Sequence, residues 1–135
     1  MTGRFLSIIL ARKNSKRLKK KNVKLLSNKP LISWTFDFIN ELFNTDNVLV
    51  STDDDQIIKI AEKYKFKFIL KRPKNLCTSK AKSIDAIVHA LDFLKKKGFE
   101  YKNFILFQPT SPIRKKKTLL KMIKIFKKKK LEAII

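Results

Sequence analysis

The stretch Phe5-Leu-Ser-Ile-Ile-Leu-Ala-Arg-Lys-Asn-Ser-Lys-Arg-Leu-Lys-Lys-Lys-Asn22 changes character partway along. Phe5–Leu10 is a short apolar run, and from Arg12 to Asn22 the chain is polar and cationic. So brief an apolar segment, ended at a polar boundary, reads as a buried strand followed by a long loop. Outward from it, strand and helix alternate. Pro30 opens a helix in which Leu31, Trp34, Phe38 and Leu42 recur at helical spacing, with Ile32, Phe36, Ile39 and Phe43 widening the stripe. Asn47–Ser51 reads as a second strand, and Asp54–Tyr64 as a helix with Ile57, Ile58, Ala61 and Tyr64 on one face. Lys67–Leu70 is a third, weaker strand. A helix from about Ser83 to Lys97 is expected to turn Ile84, Ile87, Val88, Leu91 and Leu94 inward, and Gly98 stops it. Asn103–Phe107 is a fourth strand, Gln108–Arg114 a proline-bearing loop, and Thr118–Lys128 a fourth helix with Leu119, Ile123 and Phe126 inward.

Each crossover is long enough to return parallel to its predecessor. The predicted class is therefore α/β: an open, mainly parallel sheet with helices on both faces. Ligands of such sheets sit beyond the carboxyl ends of the strands, so the loops to search are 11–22, 51–55, 71–82 and 108–114. There is no internal repeat. Glu132–Ile135 starts another apolar run, read as a fresh strand, and the chain is expected to be the N-terminal portion of a longer protein, truncated at its C-terminus.

The 135 residues suit one domain or a piece of one, and 44% hydrophobic content excludes wholesale disorder. Two glycines exclude collagen-like and flexible-linker chains, and the single Cys77 excludes a disulfide framework or a cysteine zinc site. No apolar run approaches the roughly 20 residues that span a bilayer, and Phe5–Ala11 is too short for a signal peptide, so a cytoplasmic setting is expected. The net charge is +22, carried by 28 lysines and only five arginines. Such a charge attracts polyanions, but nucleic-acid clamps favour arginine's planar fork, and the lysine runs are dispersed. Solvated surface is the better reading of them, Lys127–Lys130 included.

Arg12–Asn22 collects cations, a hydroxyl and amides on the ligand side of the sheet, the combination a polyphosphate needs. It fits neither GxxxxGK[ST] nor GxGxxG, so spacing alone leaves a phosphate cradle and a merely basic loop equally open. Asp53–Asp55 and Asp85 begin helices, where carboxylates cap N–H groups; capping is favoured over metal binding. His89 lacks a carboxylate or cysteine partner in sequence and reads as packing or surface. Cys77 shows no sign of being a nucleophile, and Trp34 reads as core.

Five ordered motifs carry a resemblance. Ala11-Arg12-x-x-Ser15-Lys16-x-x-x-x-Lys21-Asn22 with Lys29-Pro30-Leu31-Ile32 comes first, then Val50-Ser-Thr-Asp-Asp54 and Arg72-Pro73-x-x-Leu76. Ser83-Ile84-Asp85 with His89-Ala90-Leu91, and Gln108-Pro-Thr-Ser-Pro112 with Arg114, follow. Together they resemble the CMP-N-acylneuraminate (sialic acid) synthetases and their pseudaminic and legionaminic relatives, the acylneuraminate cytidylyltransferases. The resemblance implies a Rossmann-like nucleotide-diphospho-sugar transferase fold, with residues 1–135 forming the N-terminal nucleotide-binding part. It implies CMP transfer from CTP to a nonulosonic acid, with release of pyrophosphate. Arg12 and Lys21 would be catalytic, holding the phosphates. Ala11, Ser15, Lys16, Asn22, Arg72, Ala81 and Ser83 would complete the nucleotide site, and Gln108 would face the sugar. Mg²⁺ is the implied cofactor, its ligands lying in the later part of the family's chain, as does the segment that builds a homodimer. The family loop is glycine-rich where this one has Lys13, Asn14 and Arg17. A phosphate nest needs positive φ, which Asn14 tolerates best of the three. A polyanion-binding module and an inactive relic of the enzyme are the competing readings.

Overall fold

The computed structural model describes residues 4–15 and 17–134. In chain order its elements are β1 (Phe5–Ala11), the two-residue strands β2 (Leu25–Leu26) and β3 (Lys29–Pro30), α1 (Leu31–Leu42) and β4 (Val48–Thr52). Then come α2 (Asp55–Lys63), β5 (Phe68–Lys71), α3 (Ser83–Lys96), β6 (Asn103–Phe107) and α4 (Lys116–Lys129). The main sheet runs β5-β4-β1-β6, and every pairing in it is parallel. Ile8 of the central strand sits opposite Leu49 on one side and Leu106 on the other.

Alternation along β1 feeds two cores. Phe5, Ile9 and Ala11 turn toward α1, α2 and α4, where they meet Phe36, Ile39, Ile57, Ala61 and Ile123. Leu6 and Ile8 turn the other way, toward Ile87, Ala90 and Leu94 of α3. Each such side chain, removed from water, contributes about 1.5–3 kcal/mol before chain entropy is counted. The sheet is thus covered on both faces, and β1 and β4 have no exposed position from Phe5 to Ile9 or from Val48 to Thr52. Local chemistry sets the helix ends. The Asp54 carboxylate accepts the Gln56 N–H at 2.9 Å and caps α2. Gly98, at φ +86°, turns the chain out of α3.

Four expectations change. Ile84 and Val88 are 56% and 48% exposed, because α3 seats its narrow Ala86–Ala90 side on the sheet and the apolar arc is wider than that contact. Glu132–Ile134 adds no strand, and Ile135 is outside the described residues. Trp34 is only half-buried: its Nε1 donates to the Leu26 carbonyl at 3.0 Å, and the Lys29 ammonium lies 3.9 Å from its ring centre. Among the described residues of the cationic loop the left-handed one is Lys20, at φ 52°, rather than Asn14.

One further element was not foreseen, the hairpin of β2 and β3. Its turn uses Ser27 and Asn28, both at positive φ, and the Leu31 N–H donates to the Lys24 carbonyl at 2.8 Å beneath it.

Candidate functional site

From β1 the chain crosses to β4 on one side, while β6 lies against β1 on the other. Connections diverge at that point, and a groove opens beyond the carboxyl ends of β1 and β6, where open α/β sheets bind ligands. It is lined by apolar Leu10 and Leu106 and by polar Arg12, Lys21, Asn22, Gln108 and Thr110. A second hollow continues it toward β5, past Arg72, Thr78, Ala81 and Lys82; Leu10, Arg12 and Ser83 border both.

The loop after β1 folds back on itself. Asn14 and Lys19 pair as an isolated antiparallel bridge, and the Ser15 hydroxyl accepts the Leu18 N–H at 3.2 Å and donates to the Leu18 carbonyl at 2.7 Å. Ser15 borders the groove, yet these bonds show it closing the turn. The loop ends in a single 3-10 turn, Lys21–Val23, which carries Lys21 and the buried Asn22 to the groove. Arg12 reaches across and donates from Nη1 to the Thr78 carbonyl at 3.0 Å, joining this loop to the one after β5.

The other loops are held by arginines, Arg72 buried and Arg114 half-buried. Arg72 is 7% exposed; its Nε donates to Ser51 Oγ at 3.1 Å and its Nη2 to the Ser51 carbonyl at 3.0 Å. Burial pulls its guanidinium below the ordinary value, and the neighbouring Cys77 and Asp53 oppose that. Arg114 donates from Nη1 to Thr35 Oγ1 at 2.9 Å and from Nη2 to the Gln108 carbonyl, and its guanidinium lies over the Phe38 and Phe107 rings. Burial lowers its pKa as well. The Cys77 thiol, 3.2 Å from the Pro73 carbonyl, is pushed up by burial and then by Asp53.

Of the residues singled out from the sequence, Arg12, Ser15, Lys21, Asn22, Ser83 and Gln108 border the main groove, and Arg72 and Ala81 border its extension. The Ala11 side chain packs in the core on the α1 side and does not line the groove. Lys16 lies outside the described residues. Sequence reasoning missed Lys82, which carries no motif, Thr110, which lies within the Gln108–Pro112 motif but was given no role, and the part played by Asp53, whose carboxylate accepts the Lys13 N–H at 2.6 Å. A carboxylate placed directly after a strand, at the ligand edge, was the available signal. Among the described residues no group of three or more His, Cys, Asp or Glu side chains is placed to hold a metal.

A basic groove at the switch point of a parallel sheet fits several nucleotide-binding families, and comparison with known proteins decides among them. A family model described as cytidylyltransferase matches residues 6–134. The chain belongs to the cytidylyltransferase family. It is 37% identical over 126 residues to the N-acylneuraminate cytidylyltransferase of Escherichia coli, a match covering 93% of this chain and 29% of that protein. It is 34% identical over 124 residues to the CMP-N,N'-diacetyllegionaminic acid synthase of Legionella pneumophila, covering 92% of this chain and 53% of that one. This cytidylyltransferase chain therefore spans about half or less of the length of these relatives. In fold it is similar to a CMP:2-keto-3-deoxy-manno-octonic acid synthetase solved in complex with CTP: TM-score 0.72 at 19% identity, covering 93% of this chain and 48% of that one. No helix among the described residues is long and apolar enough to cross a membrane.

Proposed function

We propose that the groove beyond β1 and β6 holds the triphosphate of CTP, and that residues 1–135 form the nucleotide-binding part of an enzyme that transfers CMP to a sialic-acid-like 2-keto sugar acid. The observation that carries this reading is the convergence of Arg12, Lys21 and Asn22 at the sheet's switch point, in a chain of this family. The anomeric hydroxyl of the sugar attacks the α-phosphorus, the bond to the bridging oxygen of pyrophosphate breaks, and the hydroxyl proton leaves to solvent or base. Such a reaction asks the protein for alignment and for stabilisation of charge growing on the leaving group. Arg12 and Lys21 supply the second. Ala81 and Ser83 flank the base and ribose, with Arg72 fixing the loop behind them, and Gln108 faces the sugar across the groove.

Mg²⁺ is the cation this chemistry implies. Among the described residues no group of three or more His, Cys, Asp or Glu side chains is placed to hold it, so the residues present do not make its site. The cytoplasmic setting and a homodimer of the longer protein belong to the same proposal.

Calorimetry tests the reading. CTP is expected to bind the 135-residue chain. Arg12→Ala and Lys21→Ala are each expected to weaken binding at least about tenfold with little change in melting temperature, as for loss of a charged donor. In a complete enzyme each is expected to cut turnover by at least about a hundredfold. No heat with CTP would refute the assignment. Stabilisation by duplex DNA or RNA instead, falling steeply with salt, would favour a polyanion-binding module. Absence of a cooperative unfolding transition would favour the relic.

A further inference from the structure

The peptide unit joining Arg12 to Lys13 is gripped at both edges. Its carbonyl, that of Arg12, accepts from Asn22 Nδ2 at 3.2 Å; its N–H, that of Lys13, donates to Asp53 Oδ1 at 2.6 Å. In a trans peptide these two groups point in opposite directions within one plane. Two bonds from opposite sides therefore fix the orientation of that plane, and with it ψ of Arg12 and φ of Lys13. Asn22 is buried and comes from the far end of the same loop, whereas Asp53 comes from the loop after β4. Asp53 also lies close enough to Arg72 and Cys77 for its charge to act on both. It thus bonds the loop after β1 and acts electrostatically on the loop after β5. The Asp53–Lys13 bond is short and charge-assisted, the stronger class of hydrogen bond, and it spans 40 residues of sequence, so it orders the loop where local turns do not.

We propose that Asp53 is a positioning residue: with Asn22 it forms a pincer on the Arg12–Lys13 peptide that aims the Arg12 side chain into the groove. Asp53 touches no reacting atom in this scheme and acts through Arg12. The inference rests on the reading of Arg12 as a phosphate-holding arm, and the experiment separates the two.

The first arm needs no nucleotide. In the ligand-free chain the Lys13 amide is expected to be protected from hydrogen exchange, and Asp53→Ala to speed its exchange at least about tenfold, as for loss of a charge-assisted bond. Asp53→Asn keeps an acceptor oxygen and is expected to restore most of that protection. Unfolding transitions of all three proteins establish that each is folded. The second arm measures CTP affinity in a double-mutant cycle with Arg12→Ala. Asp53→Ala is expected to weaken CTP at least about tenfold in the wild-type background and by less than about twofold when Arg12 is already gone, with Asp53→Asn close to wild type. An equal loss in both backgrounds would show that Asp53 does not act through Arg12. Unchanged exchange at Lys13 would overturn the pincer. If the wild type binds no CTP, the nucleotide reading falls while the exchange arm still decides whether Asp53 holds the peptide.

Discussion

The loop after β1 and the loops after β5 and β6 border one groove and are fastened by opposite means. The first is tied near its start by a carboxylate, Asp53 on the Lys13 N–H, and the hairpin that follows it by another, Asp37, which pairs with Lys29 and also accepts from Tyr64 Oη at the end of α2 at 2.5 Å. The other two are tied by the guanidiniums of Arg72 and Arg114, both directed at backbone carbonyls and hydroxyls inside the protein. Arginine suits that task because its planar fork serves several acceptors at once, while an exposed ion pair contributes about 1 kcal/mol or less. The difference separates residues that look alike in sequence. Arg12, Arg72 and Arg114 all follow strands on the ligand side, yet Arg12 stands over the groove with one arm on a carbonyl, Arg72 is an internal strut and Arg114 a half-buried one.

Arg72→Ala should break that contrast most severely. It leaves Ser51 Oγ, the Ser51 carbonyl and part of the Leu76 carbonyl's bonding unmet inside the protein. Unpaired buried acceptors of this kind cost about 2–4 kcal/mol together, read as a fall in the urea midpoint. Arg72→Lys is expected to recover little, since one ammonium cannot reproduce the fork. An unchanged midpoint with CTP affinity lost would make Arg72 a ligand arm and erase the distinction. Arg114→Ala should follow at about 1–3 kcal/mol, from loss of the Thr35 and Gln108 bonds and of stacking on Phe38 and Phe107. Thermal unfolding at several protein concentrations checks it. A loss as large as that of Arg72→Ala would mean that partial burial does not set the scale.

The sheet and its helices were legible because apolar periodicity reports burial directly. Phe5–Ala11, Val48–Thr52 and Asn103–Phe107 lie within a residue of where the sequence puts them. The hairpin at 25–30 was not legible, because two-residue strands are too short for any period and its turn depends on Ser27 and Asn28 rather than an Asn-Gly pair. In α3 the pattern revealed an apolar arc but not which part of it meets the sheet; small Ala86 and Ala90 decide that by allowing close approach. At the site, Arg12, Lys21 and Asn22 reached the groove through motif and position. The fastening of the loops depends on bonds across 21 to 79 residues, from Arg72 to Ser51 and from Arg114 to Thr35, which no local pattern encodes.

The Asp37 carboxylate beside the hairpin carries a signature in pH. Burial, and then the Asp37 carboxylate that accepts its proton, push the Tyr64 phenol from its ordinary 10 up to about 12. A phenol whose folded value lies above its unfolded one contributes stability in full below pH 10 and loses it as pH rises toward about 12, because the unfolded chain gives up the proton first. Tyr64 is half-buried and its partner Asp37 is exposed, so screening leaves at most about 1 kcal/mol of this effect. Lysines lose their charge over the same range and relieve self-repulsion, so the comparison has to be made against Tyr64→Phe, in which every lysine remains. Wild type is expected to lose stability faster than Tyr64→Phe between pH 10 and 12, and to be the more stable of the two at pH 8, by chemical denaturation at each pH. Parallel curves would mean that Tyr64 adds nothing to the Asp37 contact and that the hairpin is held there by the Lys29 ion pair alone.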